Sequence, residues 1–261
     1  MKQVRLDKFI SEHSEFSRSQ IKTMAKKGEI KINGTSAKAG DIKIDPETQA
    51  VTVGGRLISF RKNTYILLNK PEGYVSSTDQ KDGRTVLELI PEELRNKNLF
   101  PAGRLDKDSL GALLITDDGS LAHRILSPKR HIPKIYIVKL AEKFKIEYIN
   151  KFENGIILPD GEICLPAKVK QAESNAELAF IQLFEGKFHQ VKRMFAAVGN
   201  HVEKLMRISV GGLVLPEKLG IGQCMELLHK DVENLFASPD FDIFCHDFDA
   251  VFSALLINNL L

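Results

Sequence analysis

The stretch Ala102–Gly119, AGRLDKDSLGALLITDDG, constrains this chain of 261 residues more than any other. Gly111 opens an apolar run, Ala112-Leu113-Leu114-Ile115, of the length of a buried strand, and Thr116-Asp117-Asp118-Gly119 stops it with turn residues. Asp106 is therefore expected on a loop just before a core strand, held over a rigid floor, with Arg104 and Lys107 beside it. A carboxylate so placed is either half of a fold-stabilising ion pair or a catalytic group, and spacing alone leaves both open.

The length suggests one large or two modest domains, and 43% hydrophobic with 27% charged residues is ordinary for a globular protein. Cys164, Cys224 and Cys245 are scattered, with no C-x-x-C and no Cys-His cluster, which argues against a disulfide framework and against a metal. No nucleotide-binding glycine loop is present, so neither cofactor nor metal is expected. The N-terminus lacks an apolar secretory core and no run is long enough to span a bilayer, so the expectation is a cytoplasmic chain with no membrane partner.

The small net charge of +3 is unevenly spread: +6 in residues 1–62, +1 in 63–235 and −4 in 236–261. A polyanion would bind most plausibly at the N-terminus. There the pattern predicts a first helix burying Leu6, Phe9 and Ile10, then a second capped by Ser17 and ended by Gly28. The second helix buries Ile21, Met24 and Ala25 and turns Arg18, Lys22, Lys26 and Lys27 outward. Short alternating strands follow, with Asn33-Gly34 as a hairpin turn. A basic helix face beside short strands suits recognition of structured RNA by shape and phosphate, or is a solvated lysine face.

The rest of the chain reads as a larger domain. Tyr65–Lys70 is a strand ended by a Pro71–Gly73 turn, so Lys70 is expected at a strand end, open to a phosphate or an acidic partner. A helix over 120–126 ends at Ser127-Pro128, where Lys129, Arg130, His131 and Lys134 gather as a phosphate-contact strip. The strand Lys134–Leu140 carries Tyr136 on the face opposite Ile135 and Ile137. Residues 141–180, with a helix over 142–152, carry no motif and read as scaffold. At Gly186 a strand yields to a helix from about Gln190 to Val198, whose start gathers Lys187, His189, Lys192 and Arg193 into an anion site. His189 reads as a cap or packing residue. The tail 237–261 is acidic and apolar, with one or two helical turns over 250–257.

GRLDKDSLGALLITDDG resembles the signature segment of the pseudouridine synthases, and the resemblance makes Asp106 the catalytic carboxylate. Arg5-Leu6-Asp7-Lys8-Phe9, Ser17-Arg18-Ser19 and Gly28–Gly34 are similar to the alpha-L RNA-binding motif, which implies RNA contacts by Arg5, Arg18, Ser19, Lys22, Lys26 and Lys27. Lys70-Pro71-Glu72-Gly73-Tyr74-Val75, Lys134-Ile135-Tyr136-Ile137-Val138 and His189-Gln190-Val191-Lys192 resemble further blocks of the same class. They imply that Tyr136 stacks on the target base, with Leu205 as the pocket's other face, and that Lys192 touches the catalytic carboxylate. They also place Lys70, Arg104, Gln190 and Arg193 against substrate.

The resemblance spans about residues 3–236 and is nearest the RsuA type. Ser109 stands where threonine is usual and Ala112 where leucine is usual; both change volume without removing a functional group. Implied are an α+β fold with a small RNA-binding domain (1–57), a linker (58–62) and a mixed, mainly antiparallel-sheet catalytic domain (63–236). Implied too is a monomer that converts one uridine of 16S rRNA, uridine-516, on free rRNA or a partly assembled small subunit. The same chemistry on large-subunit rRNA, or a non-catalytic assembly factor, remain the other readings.

Overall fold

The structure, a computed structural model, describes residues 3–58 and 63–258. The chain divides into two units: Met1–Asn63 with Glu92–Leu99, and Thr64–Pro91 with Phe100–Leu261. Of the expected linker, residues 59–62 lie outside the described residues, and Ile58 ends a strand.

The first unit runs β1 (Val4–Arg5), α1 (Leu6–Glu12), α2 (Arg18–Lys26), β2 (Ile30–Ile32), β3 (Thr35–Ser36), β4 (Lys43–Ile44), β5 (Val51–Val53) and β6 (Arg56–Ile58). Ser17 and Gln20 cap α2 reciprocally: each side chain accepts the other's backbone N–H, at 3.4 and 2.8 Å. Ile21 and Ala25 then pack on Leu6, Phe9 and Ile10 of α1 and on Ile30, Val51 and Val53 of the strands. Burying that stripe leaves Arg18, Ser19, Lys22, Lys26 and Lys27 exposed on the other side. Arg5 also pairs within the unit. Its guanidinium lies 2.7 Å from the buried Asp7 carboxylate and holds that group below the usual carboxylate range, while the Arg5 side chain stays 54% exposed.

The second unit is one sheet with helices on it. Its strands are β7 (Tyr65–Lys70), β8 (Phe100–Pro101), β9 (Leu110–Thr116), β10 (Lys134–Leu140), β11 (Lys168–Gln171), β12 (Leu178–Leu183), β13 (Val202–Val210), β14 (Leu213–Val214) and β15 (Cys224–Glu226). Its helices are α3 (Gly119–Leu126), α4 (Glu147–Glu153), α5 (Gln190–Ala197), α6 (His229–Asn234) and α7 (Phe241–Asn258). The strand order is β11-β12-β10-β13-β9-β7-β15, with β14 on β13 and β8 on β9. Pairings are antiparallel except between β13 and β9. The mixed, mainly antiparallel sheet is as expected.

Side chains alternate across a strand and directly paired residues share a face, so the register assigns each face its residues. One face carries Leu110, Ala112, Leu114, Ile135, Ile137, Phe180, Met206 and Ile208 and is covered by Leu121 and Ile125 of α3 and Phe244, Phe252 and Leu256 of α7. The other carries a single rung across four strands: Lys70 opposite Gly111, Gly111 opposite Arg207, Arg207 opposite Tyr136.

Two expected helices change extent. Ala141 and Glu142 continue the end of the β10–β13 pairing by donating to His201 O (2.9 Å) and Asn200 Oδ1 (3.2 Å), so α4 starts only at Glu147. The tail forms 18 residues of helix, not one or two turns. Asp249 anchors it, accepting from Ser174 Oγ at 2.6 Å and Ser253 Oγ at 2.7 Å, while Phe252 and Leu256 are fully buried. No helix among the described residues is long and apolar enough to cross a membrane.

Candidate active site

Asp106 sits on the loop between β8 and β9, its side chain 29% exposed. The backbone around it is held from several sides. Ser76 Oγ donates to Leu105 O at 2.9 Å and accepts the Leu105 N–H at 3.1 Å. Gly73 N–H donates to Lys107 O at 2.8 Å, and Lys70 Nζ donates to Ser109 O at 2.8 Å and Lys107 O at 3.3 Å. The loop itself closes through Ser109 N–H to Asp106 O at 3.1 Å.

Lys70 takes this position because its rung partner, Gly111, has no side chain to occupy the space. Gly111 is required twice. Its φ is +102°, and a Cβ there would lie 2.1 Å from Arg207 O. The close approach of β9 to β13 also brings Arg207 Nε within 2.7 Å of Ala112 O. This corrects the expectation for Lys70: it is 0% exposed and meets backbone carbonyls, not a phosphate. Burial lowers its pKa to about 8, opposed by the carboxylates of Asp108, Asp106 and Glu72. Lys134 is likewise lowered to about 8 by burial and by Arg207. Lys70 thus underlies the loop that holds Asp106.

On the same face, Tyr136 (8% exposed) and Leu205 (5%) line the floor beside Arg207. Lys192 does not reach the expected partner. Its Nζ lies 2.7 and 2.6 Å from the two oxygens of Asp108. Burial would raise the Asp108 carboxyl, but the Lys192 ammonium brings it below the ordinary range. His189 stands beside Asp106, with Nε2 3.5 Å from Oδ1. It does not cap α5 through its side chain; its backbone is left-handed (φ +48°) and its ring stacks on Phe188.

Gln190 and Arg193, expected against substrate, are turned to the protein. Gln190 is buried, donating to Glu185 Oε1 at 2.7 Å and accepting the Lys187 N–H at 2.9 Å. Arg193 binds Asp160, Glu162 (2.9 Å) and Phe188 O (3.2 Å), and Lys187 binds Glu162 at 2.9 Å. Glu162 and Asp160 belong to the stretch read as featureless scaffold, and they absorb this cationic pair. Arg104, Lys129 and Arg130 are exposed. The sequence does not single out Ser76 or Asp108, and it reads His189 as a cap or packing residue, whereas the ring stands beside Asp106. The signal for His189 was present, as the residue leading the His189-Gln190-Val191-Lys192 block, whereas Ser76 carries none.

Residues 64–197 match the family described as RNA pseudouridylate synthase, and residues 4–48 match the S4 domain. The chain belongs to the RNA pseudouridine synthases. Relatives extend along nearly their whole length. The RNA pseudouridine synthase YtzG of Bacillus subtilis is 42% identical over 89% of this chain and 98% of its own. Ribosomal small subunit pseudouridine synthase A is 39% identical in Haemophilus influenzae (89% and 99% covered) and 35% in Escherichia coli (89% and 100%). A crystal structure of a pseudouridylate synthase, 38% identical, superposes with a TM-score of 0.63 over 89% of this chain and 99% of that one. As a pseudouridine synthase the chain is an RNA isomerase, and its N-terminal unit contains the S4 domain that the basic face of α2 anticipated. Helix α7 lies outside both matched ranges.

Proposed function

We propose that this chain converts uridine-516 of small-subunit rRNA to pseudouridine, with Asp106 as the catalytic carboxylate. The observation that carries the assignment of Asp106 is the holding of its loop. Ser76, Gly73 and Lys70 fix the backbone on both sides of one partly exposed carboxylate, above a floor of Tyr136, Leu205 and Arg207. Such pre-organisation is what a reacting group needs and an ordinary surface ion pair does not.

The reaction breaks the C1′–N1 bond of a uridine, turns the freed base and joins C1′ to C5. Asp106, ionised, either adds to the sugar or takes a sugar proton as the glycosidic bond breaks, which divides one hard step into easier ones. The base must leave the RNA stack to reach it, and the Tyr136 side of the site offers a ring for it to lie against. The exposed lysines of α2 supply phosphate contacts on the surrounding rRNA, free or in a partly assembled subunit in the cytoplasm, with the enzyme acting as a monomer. The small-subunit target is supported by the relatives of that name at 35–39% identity.

Release of tritium from 5-tritiated uridine in a small-subunit rRNA transcript tests the reading, because C5 loses its hydrogen when the C–C bond forms. Wild type should release it and Asp106→Asn should not. Turnover by Asp106→Asn removes the catalytic assignment, and modification mapped to another uridine removes the target.

A further inference from the structure

The segment from Glu185 to Gln190 is rigidly held yet presents a large apolar ring to solvent. Gln190, Glu185, Lys187, Glu162 and Arg193 tie it down through the bonds described above, one of them to the carbonyl of Phe188 itself. Phe188 nevertheless stands 72% exposed. Its ring lies on that of His189, centroids 3.8 Å apart and planes 17° from parallel, and the far edge of His189 is 3.5 Å from Asp106. A left-handed backbone at a non-glycine residue costs free energy, and His189 keeps one at φ +48°. A fold that fixes the backbone on every side while leaving an aromatic face open has prepared that face for a ligand.

We infer that Phe188 and His189 form a stacking platform for an unpaired nucleobase of the substrate RNA, the neighbour of the uridine that enters the site. The inference rests on the RNA isomerase reading of Asp106. The two rings are already spaced about as successive bases are, roughly 3.4 Å along a strand. A base laid on the open face of Phe188 extends the stack by one layer and keeps its backbone one step from the carboxylate. Stacking on an aromatic side chain is tolerant of base identity, because every base has a π face. The platform therefore holds the strand open beside the extruded uridine without reading its sequence.

The test compares Phe188→Ala, Phe188→Leu and Phe188→Trp with wild type in tritium release from an unmodified small-subunit rRNA transcript, alongside thermal unfolding. Loss of one stacked base predicts a fall in kcat/KM of about tenfold or more for both Ala and Leu, and recovery of most of that loss by Trp. Melting temperatures should stay together, since the ring is largely exposed. Full activity of Phe188→Leu overturns the platform, because leucine keeps apolar volume without a π face; so does full activity of Phe188→Ala. A wild type that converts no uridine in RNA overturns the functional reading and the platform with it, whereas an active wild type matched by Phe188→Leu overturns the platform alone.

Discussion

Lys192 and Asp108, 84 residues apart in sequence, meet through both carboxylate oxygens at 2.7 and 2.6 Å, two residues past Asp106. The cation thereby ties down the signature loop while His189 stands beside the Asp106 carboxylate. Asp108 is largely exposed, so the pair adds little to overall stability. On the proposed role of Asp106, its effect is expected in turnover. Lys192→Met and Asp108→Asn should each lower kcat several-fold, and the double variant should be no worse than the weaker single one. A Lys192→Met loss far beyond that of Asp108→Asn would show that Lys192 acts on Asp106 directly.

Lys70 gives a pH-dependent expectation. The folded protein releases its proton near pH 8, the unfolded chain near 10.4. Between those values the unfolded state binds more protons, so this residue makes stability rise with pH, by at most about 3 kcal/mol. Cys245 and Tyr65, both pushed up to about 12 chiefly by burial, act in the opposite direction at high pH. Wild type and Lys70→Met share those two groups. Denaturant unfolding at pH 7.5 and pH 10 should therefore show wild type gaining on Lys70→Met as pH rises. The variant should also lose activity at both, since Lys107 O and Ser109 O each forfeit a donor.

Gly111→Ala should be among the most damaging substitutions in the chain. Its methyl group would overlap Arg207 O at a position where φ is already +102°, and neither parallel strand has room to retreat. A loss of about 4 kcal/mol or more, read from urea unfolding or from failure to accumulate soluble protein, is expected.

The outer helix is predicted to matter for stability and not for chemistry. Phe252 is fully buried in the core on the sheet face opposite the Lys70–Tyr136 rung. Phe252→Ala should cost about 3–5 kcal/mol while kcat/KM on rRNA below the melting transition stays within about twofold. A folded variant with sharply reduced turnover would contradict the separation of the two faces.

Charge on α2 should act on binding. Replacing Lys22 and Lys26 by alanine removes two exposed cations from its outer side. RNA affinity should fall and the slope of log affinity against log salt should flatten by about 0.7–0.9 for each phosphate left without its cation, with melting temperature unchanged.

Much of this was legible in the residues themselves. β10 and α5 begin where the sequence places them, because Pro133, Gly186 and Gly199 punctuate the chain locally and Ile135–Val138 is a β-branched and aromatic run, and the run from Gly111 to Thr116 is too apolar to lie anywhere but in a core strand. What escaped was the partner of each charged group. Lys70 looked available because nothing near it in sequence shows that its rung neighbour is Gly111, 41 positions away, or that the carbonyls of Lys107 and Ser109 would face it. Arg193 looked free because Glu162 and Asp160 lie in a stretch without a motif, and Gln190 because nothing in the sequence marks Glu185 as its acceptor. The tail looked short because its mixed acidic and apolar composition hides Asp249, whose partner Ser174 is 75 residues back.

The outermost pairing of the sheet has a consequence for how the protein is made. β7, which carries Lys70, is completed by β15, and Asn69 Nδ2 donates to Leu219 O at 2.7 Å, 150 positions further along the chain. Pairings of such long range form late, and a chain emerging from the ribosome has β7 long before it has β15. The helix pair that meets RNA is built from neighbours and needs no such wait. During its own synthesis the polypeptide thus completes its RNA-binding unit first and its catalytic sheet only once β15 has followed.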